Sequence, residues 1–175
     1  LPNPDLPSLS TPYDLLVTGV GGTRLTLDGN NEITQEVAWP GSGSGIADSI
    51  DLPWWQQGVV TDSNGKRGLC DISLAASPSS PYWVFYLGNW NAYGGTSFSA
   101  PTMAGLMALV NERRLDNGLP RAGFINPAIY TDPNVQAAFN DITSGSTDIF
   151  DTQVGWDYPT GWGSPNAALL ADALP

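Results

Sequence analysis

The sequence predicts an α/β domain built on a parallel sheet, and three observations carry that prediction. Tyr13 to Val20 is an apolar run closing on Gly21-Gly22, the pattern of a strand buried on both faces. Ala100 to Val110 is apolar on every face at helical length, so this helix should run through the middle of a domain rather than along its surface. Two hairpin signals complete the set. Asp28-Gly29-Asn30-Asn31 lies between Thr23–Leu27 and Ile33–Trp39, and Gly88-Asn89 lies between Tyr82–Tyr86 and Trp90–Tyr93. The chain has 175 residues, 41% of them hydrophobic, which suffices for one full core.

Taken in order, residues 1–13 should be extended, because each proline there biases its predecessor away from helix. Pro40 to Gly45 is a Gly/Ser loop, either a flexible surface turn or an edge facing a ligand. Asp62-Ser63-Asn64-Gly65-Lys66 starts like a calcium loop but lacks the closing glutamate, and reads as a turn. The single cysteine, Cys70, excludes an internal disulfide and a cysteine zinc site, and reads as a small buried hydrophobe. The alternating aromatics of Tyr82–Tyr93 read as core packing. Gly94-Gly95 then feeds a helix over 97–115, which Asp116-Asn117-Gly118 ends with a glycine stop. Pro165 to Leu174 reads as a short terminal helix opened by its proline.

Charge narrows the function. A net charge of −11 with six basic residues argues against nucleic acid or an anionic membrane as partner, and no apolar run is long enough to span a bilayer. The same balance fits work in acid, where protonated carboxylates relieve self-repulsion.

The chemistry concentrates at Gly94-Gly95-Thr96-Ser97-Phe98-Ser99-Ala100-Pro101. A serine at a glycine turn entering a helix sits at the positive helix end, with its own backbone N–H turned toward whatever its hydroxyl attacks. Nucleophile and half of an oxyanion hole can then come from one residue. The alternative is that Thr96, Ser97 or Ser99 only caps the helix.

Gly95-Thr96-Ser97-x-x-x-Pro101 resembles the nucleophile segment of two related families, the subtilisin-like serine peptidases and the acid-active sedolisins, or serine-carboxyl peptidases. The chain contains no histidine, so it cannot complete a Ser-His-Asp triad, whereas a sedolisin uses a glutamate base oriented by an aspartate. Thr102, where subtilisins usually carry histidine, also favours the sedolisins. Further segments are similar to that family: Ser10-Thr11-Pro12-Tyr13 with Gly19-Val20-Gly21-Gly22-Thr23, Gly43-Ser44-Gly45-Ile46, Leu52-Pro53-Trp54-Trp55-Gln56, and Gly123-Phe124-Ile125-Asn126-Pro127-Ala128-Ile129-Tyr130. Arg67 to Ser73 matches an Arg…Pro-Asp-Val-Ser segment with Cys70 in place of the proline, and Asp71 there reads as structural, hydrogen-bonded near the nucleophile helix. The resemblance implies a subtilisin-like parallel sheet with helices on both faces, of which this chain is the C-terminal portion, with Ser97 as nucleophile.

A second site lies at residues 139–165. Aspartates in glycine-rich loops are either solvated or meet as hard oxygen ligands. Asn140-Asp141-Ile142-Thr143-x-Gly145 and Gly155-Trp156-Asp157-x-x-Thr160-Gly161-x-Gly163-x-Pro165 resemble the sedolisin calcium site. The resemblance implies one structural calcium held by the Asp141 and Asp157 side chains and the Ile142, Gln153 and Gly155 carbonyls. Gln153 stands where the family has glycine, which a carbonyl ligand tolerates if no positive φ is needed.

The family's Glu base, its Asp partner and its oxyanion Asp have no match here. Glu32 and Glu36 fall in the first hairpin, and Glu112 lies more than three turns along the helix from Ser97. The chain alone should therefore be inactive, and an N-terminal chain of the same precursor is the expected partner, with peptides or proteins as substrate. Asp5 sits where some sedolisins have a substrate-pocket aspartate. The expected compartment is extracellular, or an acidic vacuole or lysosome. The other readings are a subtilisin-type chain with its histidine elsewhere, and a fragment or catalytically dead relative serving as a calcium-stabilised binding module.

Overall fold

The computed structural model describes residues 15–175. Asp5, the proline-rich start and the Ser10–Tyr13 motif lie outside the described residues. Strand β1 runs over Val20–Leu27, β2 over Ile33–Ala38, β3 over Gly45–Asp51, β4 over Lys66–Leu69 and β5 over Ile72–Ala75. β6 (Tyr82–Tyr86) and β7 (Asn89–Tyr93) lead into helix α1 (Thr96–Asp116). Helices α2 (Asn126–Thr131) and α3 (Pro133–Gln136), the two-residue strands β8 (Phe139–Asn140) and β9 (Ser164–Pro165), and α4 (Ala167–Ala173) follow.

The expected α/β class holds. The three-stranded sheet has order β2-β1-β5, with β1 parallel to β5 from Val20↔Ile72 to Thr23↔Ala75 and antiparallel to β2. Strand β1 begins only at Val20, so the apolar run from Leu15 to Gly19 is turn and bend rather than strand. Its role is to supply backbone groups to the buried centre described below. Both hairpins form as expected, and Leu87 and Gly88 at the β6–β7 tip have φ of 50° and 79°, the signs that a two-residue turn with right-handed strand twist requires.

Helix α1 packs on β1 and β5 and carries α4 on its far half. Met103, Val110 and Arg114 face inward, and the Arg114 guanidinium holds the Pro120, Leu174 and Pro175 carbonyls. The opposite face, through Pro101, Ala104, Gly105, Ala108 and Leu109, is exposed in the described residues although the sequence is apolar all round. The terminal helix starts two residues later than its proline suggests. Pro165 lies in β9, and Asn166 caps α4 by accepting from the Ala168 and Leu169 amides.

The β6–β7 aromatics correct the sequence reading outright. Trp83, Phe85 and Trp90 are 60–66% exposed, with Phe85 edge-on to Trp90 at 5.5 Å. Only Tyr82 and Tyr93 turn back, stacking on Phe98 of α1. A two-stranded ribbon has no second layer beneath it, so alternation here does not mark a buried face.

Candidate active site and acidic loops

Ser97 lies in the first turn of α1 and is exposed. The turn before it is fixed by two glycines. A Cβ on Gly94 would stand 2.5 Å from the Pro78 amide nitrogen, and Gly95 has φ of 121°, where an L side chain is strained. The Gly95 amide donates to the Ala76 carbonyl, which pins the turn to the end of β5. The capping alternative fails. Gly95 is the N-cap residue and no side chain caps the helix, while buried Ser99 donates back to the Thr96 carbonyl. Among the described residues nothing hydrogen-bonds to the Ser97 hydroxyl, while the neighbouring Phe98 amide donates to the Gly95 carbonyl at 3.0 Å.

A cavity of about 240 Å³ opens next to this turn, lined by Thr96, Cys70 and the Gly43-Ser44-Gly45 loop. The Gly/Ser loop is thus a wall of the cleft rather than a free surface turn. Cys70 is buried as expected, and burial pushes its thiol up to about 12. It is therefore an unreactive lining group.

Behind the cleft stands a buried centre that the sequence only hinted at. Asp71 is fully buried and accepts from the Gly19 amide at 2.6 Å, Arg67 at 2.7 Å, the Tyr130 hydroxyl at 2.9 Å and the Asn126 amide at 3.2 Å. Gln56 joins by donating to Tyr130 at 2.8 Å and by exchanging bonds with the Gly68 backbone. Arg67 also donates to the Val17 carbonyl. Burial pushes the Asp71 carboxyl up, while Arg67, the Gly19 amide and Tyr130 pull against it. Asp71 is structural as expected, but its partners are α2 and the Leu15–Gly19 segment, not the nucleophile helix. Three motifs far apart in sequence, Trp-Gln, Arg-x-x-x-Asp and Asn-Pro-x-Ile-Tyr, meet on one carboxylate.

The acidic loops lie on the other side of Asp71. Asp157 is 2% exposed, accepting from the Gln153 amide at 3.0 Å and from the Thr160 amide and hydroxyl, each at 2.8 Å. Asp141 accepts from the Gly155 amide at 2.9 Å, so the two loops already meet through these carboxylates. Burial pushes the Asp157 carboxyl up, and the Asp141 charge adds to it. No lysine or arginine occurs between Phe139 and Pro165 to offset the two charges. The Ile142 side chain is buried, so its carbonyl is the group it can offer, and Gln153 is not among the residues of positive φ. No cluster of three or more acidic, histidine or cysteine side chains is placed to hold a metal among the described residues, so any ion here would rest on two carboxylates and carbonyls.

Gly161 couples this region to the buried centre. A Cβ there would lie 2.2 Å from the Asp71 carbonyl at a φ of 62°, and the next amide, Trp162, donates to that carbonyl. Gly161→Ala should cost at least ~2 kcal/mol, read as a lower urea midpoint at unchanged slope. An unchanged midpoint would show that the loop is not held against Asp71.

No family model matches the sequence. Individual relatives do. The chain is 36% identical to kumamolisin of Bacillus sp. (strain MN-32) over 97% of its own length and 32% of the relative's. It is 32% identical to tripeptidyl-peptidase 1 of Canis lupus familiaris over 98% of its own length and 33% of the relative's. It is 31% identical to sedolisin of Pseudomonas sp. (strain 101) over 89% and 28%. The solved Pseudomonas sedolisin, a serine-carboxyl proteinase complexed with two molecules of pseudo-iodotyrostatin, superposes with a TM-score of 0.76 at 30% identity, covering 89% of this chain and 45% of that one. The chain thus spans about a third of the length of the curated relatives it matches. With both the sequence and the fold shared across nearly all of its residues, the chain is a homologue of part of the sedolisins, the serine-carboxyl peptidases.

Proposed function

We propose that this chain is the nucleophile-bearing part of an acid-active serine peptidase cleaving peptide or protein substrates. The observation that carries the proposal is Ser97: exposed, set by Gly94-Gly95 at the start of α1, and without a hydrogen-bond partner for its hydroxyl among the described residues. Its Oγ attacks the scissile carbonyl carbon, and the Ser97 N–H donates to the oxyanion. The C–N bond then breaks, the amine leaves with a proton, and water hydrolyses the acyl-serine. A carboxylate must take and return the Oγ proton. No acidic side chain bonds to Ser97 in the described residues, so the glutamate base, its aspartate and the second oxyanion donor come from upstream residues of the same precursor, held as an N-terminal partner chain. Such an enzyme belongs in an acidic or extracellular compartment. Among the described residues no helix is long and apolar enough to cross a membrane.

The acidic loops fit one calcium ion. The donors are all oxygen, two carboxylates approach without a basic neighbour, and Gln153 needs no glycine conformation to present its carbonyl. Asp141, Asp157 and the carbonyls of Ile142, Gln153 and Gly155 would hold the ion, whose contribution is structural. Chelation should lower the melting temperature of the protein by about 5 °C or more, with recovery on calcium but not magnesium. Asp157→Asn should abolish that response. An equal melting temperature with and without chelator overturns the calcium assignment but leaves Ser97 untouched. The peptidase assignment is tested by mass-spectrometric detection of peptide cleavage in acid, with no cleavage by the folded, complete protein as the contrary result.

A further inference from the structure

A second groove, of about 750 Å³, lies between the far half of β1 and the start of β6. It shares no lining residue with the cavity beside Ser97. Its geometry follows from where β5 stops. β5 pairs with β1 only as far as Thr23↔Ala75, and the chain then turns away, with the Ala76 and Ser77 amides both donating to the Thr23 carbonyl. From Arg24 to Leu27 this edge of β1 is paired by no strand among the described residues, and the Leu25 amide is met by the Ser80 hydroxyl instead. Across the groove stands β6, which pairs only with β7 and presents Tyr82 and Trp83. Two unpaired strand edges facing one groove form a template for an added strand.

The charge of the groove selects what enters. Arg24 lines it and is exposed, and its side chain makes no ion pair or hydrogen bond among the described residues. Of the other five basic residues, Lys66, Arg67 and Arg113 have carboxylate partners, Arg114 is spent on backbone carbonyls, and Arg121 lines a separate hollow that also holds Glu112 and Asp116. No aspartate or glutamate lines the groove, in a chain with 17 acidic residues against six basic ones. Arg24 also stands next to the closed end, where the turn after β5 blocks further passage. A strand sliding along β1 would end at this guanidinium.

We infer that this groove binds an extended peptide antiparallel to β1, with its C-terminal carboxylate on Arg24 and a side chain against Trp83. A guanidinium meets a carboxylate through paired N–H donors, and the flat indole takes an apolar side chain. The site requires no catalysis, so it stands whether or not Ser97 is the nucleophile.

The test uses the complete protein and fluorescein-labelled hexapeptides of alternating Val and Thr, with binding read as anisotropy within seconds of mixing. The free acid should bind about tenfold more tightly than the C-terminal amide, and Arg24→Gln should bind both alike. Trp83→Ala should weaken both forms. Equal binding of acid and amide by the wild type, a preference surviving in Arg24→Gln, or no binding of either form overturns the assignment. An amide with an internal Glu that binds as tightly as the free acid overturns the terminal-carboxylate reading. The peptide's mass after the measurement reports separately on Ser97: cleavage by a Ser97→Ala protein would count against the nucleophile and not against the groove.

Discussion

Ser97→Ala should reduce kcat for peptide cleavage in acid by about 10⁵-fold while leaving fold and melting temperature unchanged. The two halves of this expectation have separate origins. Activity collapses because the hydroxyls that follow Ser97 in α1 are engaged elsewhere. Ser99 is buried and donates to the Thr96 carbonyl, and the Thr102 hydroxyl is engaged with the Phe98 carbonyl. Stability survives because the Ser97 side chain is exposed and bonds to nothing in the described residues, and the helix is capped by no side chain at all. Ser99→Ala supplies the contrast. It should cost about 1 kcal/mol of stability and little activity, since its bond lies inside the helix turn. A Ser97→Ala protein that cleaves at more than about a hundredth of the wild-type rate would remove the nucleophile assignment.

Asp71→Ala should destabilise the protein by about 3–5 kcal/mol, the cost of stripping one partner from a buried ion pair. Arg67 would keep its charge in a fully buried position, with only the Val17 carbonyl left of the two contacts described. The Gly19 amide, Tyr130 and Asn126 would lose the oxygens they donate to. Because Asp71 ties together the Leu15–Gly19 segment, β4, β5 and α2, the loss should appear as a lower urea midpoint for the whole molecule. The pH dependence has a defined sign. Burial raises the Asp71 carboxyl above its unfolded value, so the folded chain takes up the proton first. That part of the stability is fully present below the ordinary aspartate range and declines as pH rises through the raised value. The gap between wild type and Asp71→Ala should therefore widen from neutral pH into acid. A gap that closes in acid would mean that Arg67 and the donors outweigh burial.

The sequence was informative where the signal is local. Turn residues place both hairpins, the Asp62–Lys66 turn and the Gly118 stop, and the glycine pair places the start of α1 within a residue. Capping chemistry could have corrected the last helix, because Asn166 is a stronger start signal than Pro165. Signals that depend on a second layer misled. The aromatics of β6 and β7 alternate like core residues, but a two-stranded ribbon covers neither of its faces. The uniformly apolar α1 reads as buried all round, yet only the Met103–Val110–Arg114 face is covered in the described residues. The Asp71 centre was beyond periodicity altogether. Its ligands lie up to 59 residues away, and nothing within any one of their motifs says that they share a partner. A glutamine, an asparagine and a tyrosine become legible as a set only when the carboxylate they share is located.

On the proposed function, Ser97 works only with carboxylates brought by upstream protein. The most direct test is the intact mass of every polypeptide in denatured, peptide-cleaving material. Activity should always accompany upstream sequence containing a Glu and Asp pair, either as a second stoichiometric chain or as one chain heavier than 18.5 kDa. Cleavage in acid by a sample containing the 18.5 kDa chain alone would contradict it.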